Sequence, residues 1–190
     1  MNWTPGTPVL LETDSYTMRN LTEADITPAF LGWFKDPEVM AHVPLPMNLD
    51  RAYFQRYLKS QDNIKAFVLG IFDRATGTLV GYYHVEYTPA FKYARTAVII
   101  GERAHWGRRI VVETRTALID FLFNDLGARK IAGSVNEANA PAVYNYKVQG
   151  FQLEGIRREE GQLRDGTWVD LYQFGLLKRE WESQKSEREQ

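Results

Sequence analysis

Hydrophobic and polar positions along the chain repeat with two different periods. Short apolar or β-branched stretches bounded by turn-forming residues predict strands, whereas apolar positions three or four residues apart predict helices. The predicted strands are Leu10 to Arg19, as one strand or a hairpin, and then 66–72, 78–88, 95–101, 130–135, 151–156 and 168–177. The predicted helices begin at Thr22, at Asn48 or Asp50, at Arg109 and at Pro141.

This order of elements mixes hairpins with helical crossovers and predicts an α/β fold. We expect a mixed central sheet of about six or seven strands, flanked by helices on both faces. Ala97 to Ile100 is apolar on both alternating faces, which predicts an interior strand covered on both sides. Val111, Leu118, Leu122 and Leu126 form one apolar helical stripe, which predicts packing of that helix on the sheet.

Length and composition predict one folded domain over residues 1–181, followed by a charged, solvated tail at 182–190. The chain has 190 residues, enough for one well-buried core and short for two. Hydrophobic residues make up 44% and charged residues 25%, which is ordinary for a globular protein. The net charge of −1 creates no global field for nucleic acid or anionic lipid, so neither partner is expected.

The residue inventory excludes several kinds of chemistry. There is no cysteine, so disulfides, thiolate nucleophiles and cysteine-ligated metal centres are excluded. His42, His84 and His105 show no paired ligand spacing, so no metal is expected. The sequence shows neither a basic leader nor an apolar run long enough to span a membrane. We therefore expect neither export nor membrane insertion. A cytoplasmic location is the simplest expectation.

The central strand ends at Gly101, and a short loop leads into the long helix that begins near Arg109. The unpaired amides and dipole at a helix start form an anion site, which a pyrophosphate would fit. The alternative is purely structural: Trp106 and Val111 pack in the core, and Arg108 and Arg109 are solvated.

The stretch from Ile99 to Ile110 resembles the central motif of GNAT acetyltransferases, and its Trp106-Gly107 pair is typical of the branch containing the ribosomal-protein N-terminal acetyltransferases. In that family, amides at the strand end pair with the pantetheine arm and loop amides hold the pyrophosphate. The resemblance therefore implies that the donor site contains Val98, Ile99, Ile100, Trp106, Gly107, Arg108, Arg109, Ile110 and Val111. The family motif has small residues where this chain has Arg109 and Val111, so we expect extra bulk beside the phosphates, offset in part by the charge of Arg108 and Arg109.

A second stretch matches the family pattern of Asn, then Tyr, then Gly-Phe, at Asn139, Tyr146 and Gly150-Phe151. The resemblance implies that Asn139 bonds the pantetheine arm or the first helical turn, and that Tyr146 lies near the leaving sulfur. A phenol suits that position because amine attack on a thioester expels a thiolate, which a positioned donor can protonate. The alternative is that Tyr146 and Phe151 pack beneath the sheet while Asn139 only caps a helix.

A general base is needed to take the proton of the acceptor ammonium. The candidates are Glu86, Glu102, His84 and His105, and Glu102 is preferred because it follows the central strand. His84 and Glu86 share one face of a strand, where solvated polar groups are the favoured interpretation.

Together, these patterns predict a single-domain N-acetyltransferase that transfers acetyl from acetyl-CoA, as co-substrate, to a primary amine by direct attack. The acceptor is a protein N-terminus or a small-molecule amine. Two alternatives remain: a GNAT fold with another acyl donor or a decarboxylating chemistry, and a catalytically silent binding module. A homodimer is an expectation from the family alone.

Overall fold

A computed structural model describes residues 3–188, with the side chain of Arg188 left out. One sheet contains eight strands in the order β1-β2-β3-β4-β5-β6-β8-β7. The strands are β1 Leu10–Glu12, β2 Tyr16–Asn20, β3 Ala66–Asp73, β4 Leu79–Thr88, β5 Tyr93–Ile100, β6 Lys130–Asn136, β7 Gln152–Gln162 and β8 Trp168–Leu177. The helices are α1 Pro28–Trp33, α2 Arg51–Lys59, α3 Ile110–Asn124, α4 Ala140–Val148 and α5 Lys178–Arg188. The expected α/β fold with a mixed sheet is confirmed. The sheet has eight strands, one more than the largest number expected from the sequence.

The sheet opens between β5 and β6, the two parallel neighbours. They pair only over Tyr93–Arg95 and Lys130–Ala132. On its other side, β5 stays paired with β4 as far as Ile100. The backbone of β5 after Arg95 therefore has one paired edge and one open edge, in the middle of the sheet.

Helices cover both faces of the sheet, as expected. Neighbouring residues on β3 point to opposite faces, so that Phe67 and Leu69 pack in the core beneath α3 while Val68 packs in a second core beneath α1 and α2. In α3, Leu118 and Leu122 are fully buried, which confirms the apolar stripe predicted for this helix.

Two predicted elements differ in the structure. The helix expected from Thr22 is a short 3-10 turn at Glu23–Asp25 followed by α1, which begins separately because Thr27 caps it and Pro28 occupies its first position. The end of β5 is only half covered, because Val98, Ile99 and Ile100 are partly exposed at the opening between the strands.

The segment predicted as a charged tail after Trp181 continues a helix. In α5, Trp181 is buried and its indole Nε1 donates to Asp120 of α3 at 2.7 Å, while Lys185 Nζ lies 2.9 Å from the same carboxylate. Residues 182–188 are therefore helical and tied to α3 through Lys185, and residues 189–190 lie outside the described part of the chain. No helix within 3–188 is long and apolar enough to cross a membrane.

Candidate active site

A cavity of about 940 Å³ lies where β5 and β6 diverge. This volume falls within the range of about 300–1,000 Å³ that is usual for ligand sites. Four residues of the two predicted motifs line it, namely Val98, Ile99, Asn139 and Tyr146, and so do two of the candidate bases, His84 and Glu86. The opening of the sheet thus brings together the strand and helix residues of the two predicted motifs.

Tyr146 is held tightly at the cavity wall, and only 4% of it is exposed. One face of its ring stacks on Phe174 at 4.8 Å, and Phe151 meets the ring edge-on at 5.1 Å. A Cβ at Gly133 would lie 1.9 Å from the Tyr146 hydroxyl, so only glycine leaves room for the phenol. The hydroxyl forms no hydrogen bond with any residue in 3–188, which leaves it available to a ligand in the cavity.

Asn139 has the capping role that the sequence left as an alternative. Its side chain accepts a hydrogen bond from the amide of Ala142 at 3.1 Å and caps α4. It also lines the cavity, as does Asn136, whose buried Oδ1 lacks a hydrogen-bond partner among the described residues. A buried polar atom without a partner is costly, so this wall suits a ligand that donates a hydrogen bond.

The loop between β5 and α3 has the backbone of an anion site. Gly107 and Arg109 both have positive φ angles, of 74° and 59°, and α3 begins at the next residue, Ile110. The first amides of the helix have no partner within it. The Trp106 indole donates to the carbonyl of Ile100 at 3.0 Å, which ties this loop to the end of β5.

The side chains of this loop divide into two groups. Ile110 and Val111 are buried in the core beneath the sheet, whereas Arg108 and Arg109 are exposed. The Val111 side chain packs into the core, so on the exposed side of the loop Arg109 is the bulky departure from the family motif.

Glu102, the base preferred from the sequence, is held outside the cavity lining. Its carboxylate accepts a hydrogen bond from the Trp33 indole at 3.0 Å. The preceding residue, Gly101, packs so closely that a Cβ there would lie 1.8 Å from the Trp33 ring. Glu102 thus fastens α1 to the end of β5. His105, another candidate base, lies 3.3 Å from the Tyr16 hydroxyl and is also absent from the lining.

His84 and Glu86 of β4 both line the cavity, together with Tyr57 of α2. The Tyr57 hydroxyl lies 2.6 Å from His84 Nδ1, and His84 Nε2 lies 3.4 Å from Glu86 Oε1. Burial, with the neighbouring Tyr53 and Glu86, raises the pKa of Tyr57. His84 is therefore partly buried, hydrogen-bonded to Tyr57 and in contact with Glu86, rather than the solvated strand residue favoured by the sequence.

Arg115 of α3 is a cavity residue that the sequence patterns did not identify. It is 3% exposed and lies on the predicted apolar stripe, four residues after Val111 and three before Leu118. A charge at a position where helical spacing calls for an apolar side chain was the available signal.

Arg164, in the turn between β7 and β8, also lines the cavity. Its guanidinium donates to the carbonyls of Met40, Val43 and Leu45 at 2.8, 3.2 and 2.9 Å. These carbonyls belong to the segment between α1 and α2, so one side chain joins two loops that both line the cavity.

An open strand edge, a helix start with unpaired amides and a buried phenol thus occur together in this α/β fold. The family described as the acetyltransferase (GNAT) domain matches residues 16–152, and the chain belongs to this family. Among residues 3–188, no group of His, Asp or Glu side chains is arranged to hold a metal ion.

Individual relatives agree with this family. The uncharacterized N-acetyltransferase p20 of Bacillus licheniformis is 35% identical over 79 residues, an alignment that spans 42% of this chain and 44% of that protein. The chain thus aligns with less than half the length of this curated relative.

Solved structures share the fold at low identity. The spermidine N-acetyltransferase of Vibrio cholerae, in complex with CoA and spermine, has a TM-score of 0.79 at 20% identity and covers 88% of this chain and 98% of its own. The ribosomal-protein-S5-alanine acetyltransferase of Vibrio fischeri has a TM-score of 0.78 at 16% identity, with 91% and 98% covered.

Proposed function

We propose that this protein is an N-acetyltransferase that transfers the acetyl group of acetyl-CoA to a primary amine by direct attack. The observation that carries the proposal is the buried Tyr146 phenol, which faces the cavity at the open edge of β5 and has no hydrogen-bond partner among the described residues. A phenol in that position is suited to protonate a departing thiolate.

The donor fits the loop and the strand edge. Val98 to Ile100 offers backbone groups without a strand partner on the β6 side, to which an extended pantetheine arm can bond. Gly107 to Val111 supplies helix-start amides for the pyrophosphate, and the exposed guanidinium groups of Arg108 and Arg109 supply charge. Asn139 and Asn136 offer polar groups along the same wall.

The chemistry needs a base as well as an acid. Tyr57, His84 and Glu86 form the series of contacts closest to this requirement, because all three line the cavity and Glu86 ends the series with an exposed carboxylate. In our proposal this series, rather than Glu102, takes the proton of the acceptor ammonium. The amine then attacks the thioester carbonyl, the C–S bond breaks and Tyr146 gives its proton to the sulfur.

The acceptor is a primary amine, either a protein N-terminus or a small molecule. Fold neighbours named for a ribosomal-protein alanine and for spermidine represent both classes. The Trp106-Gly107 pair favours the branch of ribosomal-protein N-terminal acetyltransferases. A cytoplasmic location agrees with the lack of cysteine, and a homodimer remains the family-level proposal.

The test has two stages. Isothermal titration with acetyl-CoA, propionyl-CoA and CoA measures donor binding without knowledge of the acceptor. Release of free thiol is then followed with a panel of N-terminal peptides, polyamines and amino sugars. Binding of acetyl-CoA and amine-dependent thiol release support the proposal. If the protein binds no acetyl-CoA at millimolar concentration, the proposal is contradicted. If it binds another acyl-CoA but not acetyl-CoA, an altered donor is supported. If it binds acetyl-CoA but releases no thiol with any amine, a catalytically silent binding module is supported.

A further inference from the structure

Arg115 places a positive charge in the cavity wall without a counter-ion. The residue is 3% exposed, and no described acidic side chain forms an ion pair with it. Its Nε has no hydrogen-bond partner within 3–188, and the bond from Nη1 to Gln149 Oε1 is long at 3.4 Å. Its other partner is the uncharged Tyr83 phenol, which does not neutralise the charge. An uncompensated buried charge is expensive, so an apolar side chain would stabilise this helix face more.

The guanidinium lies against the predicted acid. Its Cζ lies over the Tyr146 ring, 4.4 Å from the centroid, and the same ring stacks on Phe174. The ring therefore contacts both a cation and an aromatic side chain. The Tyr83 phenol, which is also buried near Arg115, shows the influence of this cation: burial raises the pKa of Tyr83, and the charge of Arg115 opposes that rise.

We propose that Arg115 is a positioning residue that makes Tyr146 an effective acid for the departing thiolate. When the phenol gives up its proton, negative charge spreads from the oxygen into the ring, and the guanidinium already faces that ring. A cation fixed beforehand stabilises charge that appears only during the reaction, which is the most effective use of an electrostatic group. The inference rests on the proposed acetyl transfer.

The step balances as follows. The amine nitrogen bonds to the carbonyl carbon, the C–S bond breaks, and the sulfur takes the phenolic proton of Tyr146. The phenolate, stabilised by Arg115, is protonated again by solvent, and Glu86 passes to solvent the proton that it took from the acceptor ammonium.

A double-mutant cycle between Arg115 and Tyr146 tests the inference. The variants are Arg115→Met, which keeps length and removes charge, Arg115→Lys, which keeps a charge, Tyr146→Phe, and the double variant. Leu118→Met, on the same stripe, controls for repacking of α3. Acetyl-CoA affinity and thermal melting are measured for each variant, and kcat is measured for each with a reactive amine.

We expect Arg115→Met to lower kcat about 10- to 100-fold with donor affinity nearly unchanged, and Arg115→Lys to restore part of it. In the Tyr146→Phe background, the same Arg115→Met change should lower kcat by less than about twofold, because the phenolic proton whose transfer Arg115 assists is no longer present. If Arg115→Met lowers kcat equally in the wild-type and Tyr146→Phe backgrounds, or lowers it in neither, the inference is overturned. If Arg115→Met does not fold, the cycle is completed with Arg115→Lys, for which equal losses again overturn it.

Failure of the underlying function gives a different result. A wild-type protein that binds no acetyl-CoA, or releases no thiol with any amine, contradicts the proposed acetyl transfer. A wild-type protein that turns over but is unaffected by Tyr146→Phe contradicts the role of Tyr146, and the inference about Arg115 falls with it.

Discussion

The hydroxyl of Tyr57 lies 2.6 Å from Nδ1 of His84, and both residues line the cavity at the opening between β5 and β6. Because burial raises the pKa of Tyr57, the phenol keeps its proton and donates it to Nδ1. The other ring nitrogen, Nε2, lies 3.4 Å from Glu86 Oε1. Glu86 is thus the end of the series that can accept a proton from an amine in the cavity.

The first prediction separates this series from Glu102 as the base. His84→Gln and Glu86→Gln should each lower kcat at neutral pH by about 10- to 100-fold, since the ammonium then loses its proton only to solvent. The loss should shrink as pH rises toward the pKa of the acceptor, where free amine is abundant. Glu102→Gln keeps an acceptor for the Trp33 indole, so little change is expected. A large loss in Glu102→Gln with full activity in the other two variants would restore Glu102 as the base.

The second prediction concerns the phenol of Tyr146. Tyr146→Phe keeps the ring in contact with Phe174 and Arg115 and removes only the hydroxyl, so kcat should fall about 10- to 100-fold while acetyl-CoA affinity stays within about threefold. Tyr144→Phe is the matched control, because Tyr144 is on the same helix but 62% exposed. Initial rates and titration calorimetry provide both quantities. Equal losses of kcat and affinity would instead indicate a structural role for Tyr146.

Local features of the site could be predicted from the sequence, whereas its long-range features could not. Asn139 and Tyr146 belong to one short helix, so a spacing in the sequence fixes their relation in space. The strand, loop and helix around Trp106 are also consecutive in the chain. Such neighbours are recognisable because secondary structure alone brings them together.

The cavity depends on contacts between distant segments. It exists because β5 and β6 pair over only three positions each, a register that neither strand encodes by itself. His84 and Arg115 therefore gave patterns consistent with a solvated strand and an ordinary helix. Only the opening of the sheet shows that both face one cavity.

The third prediction addresses the departure from the family motif at Arg109. Its φ of 59° is left-handed, a conformation that costs a non-glycine residue about 1 kcal/mol. Arg109→Gly should therefore raise stability by about 0.5–1 kcal/mol, or about 1–4 °C in Tm for a chain of this size. Arg108→Gly is the control, because Arg108 does not have a positive φ and should show no such gain. Differential scanning calorimetry measures Tm for both variants. A Tm for Arg109→Gly below that of the wild type would contradict the expected strain.

The fourth prediction concerns the ion pair between Arg19 and Asp25, whose two contacts are 2.7 and 2.8 Å long. Burial opposes the charge of Asp25, but hydrogen bonds from Arg19 and Thr22 outweigh it and lower the pKa of the carboxyl. A lowered pKa in the folded state means that stability is present above the unfolded pKa of about 4 and is lost as pH falls through the folded value.

Asp25→Asn should accordingly lower the free energy of unfolding by about 1 kcal/mol at pH 7, with the difference from wild type shrinking as pH falls below about 4. Urea unfolding at several pH values measures it. Glu12→Gln, at an exposed carboxylate without an ion pair among the described residues, should show no such pH-dependent difference. If the difference in unfolding free energy between wild type and Asp25→Asn grew as pH fell, the prediction would be contradicted.

The fifth prediction concerns Arg164 as a tie across the cavity. Its bonds to the carbonyls of Met40, Val43 and Leu45 join the β7–β8 turn to the segment before α2. Arg164→Ala should release both loops, so amide hydrogen exchange should accelerate about 10-fold or more in residues 40–48. Both loops line the cavity and lie outside the proposed donor site at Val98 to Val111, so kcat/KM for the amine should fall while acetyl-CoA affinity is retained. Arg158→Ala removes an exposed arginine from β7 without these bonds and should leave both quantities unchanged. Unaltered exchange in Arg164→Ala would show that the two loops keep their positions without this side chain.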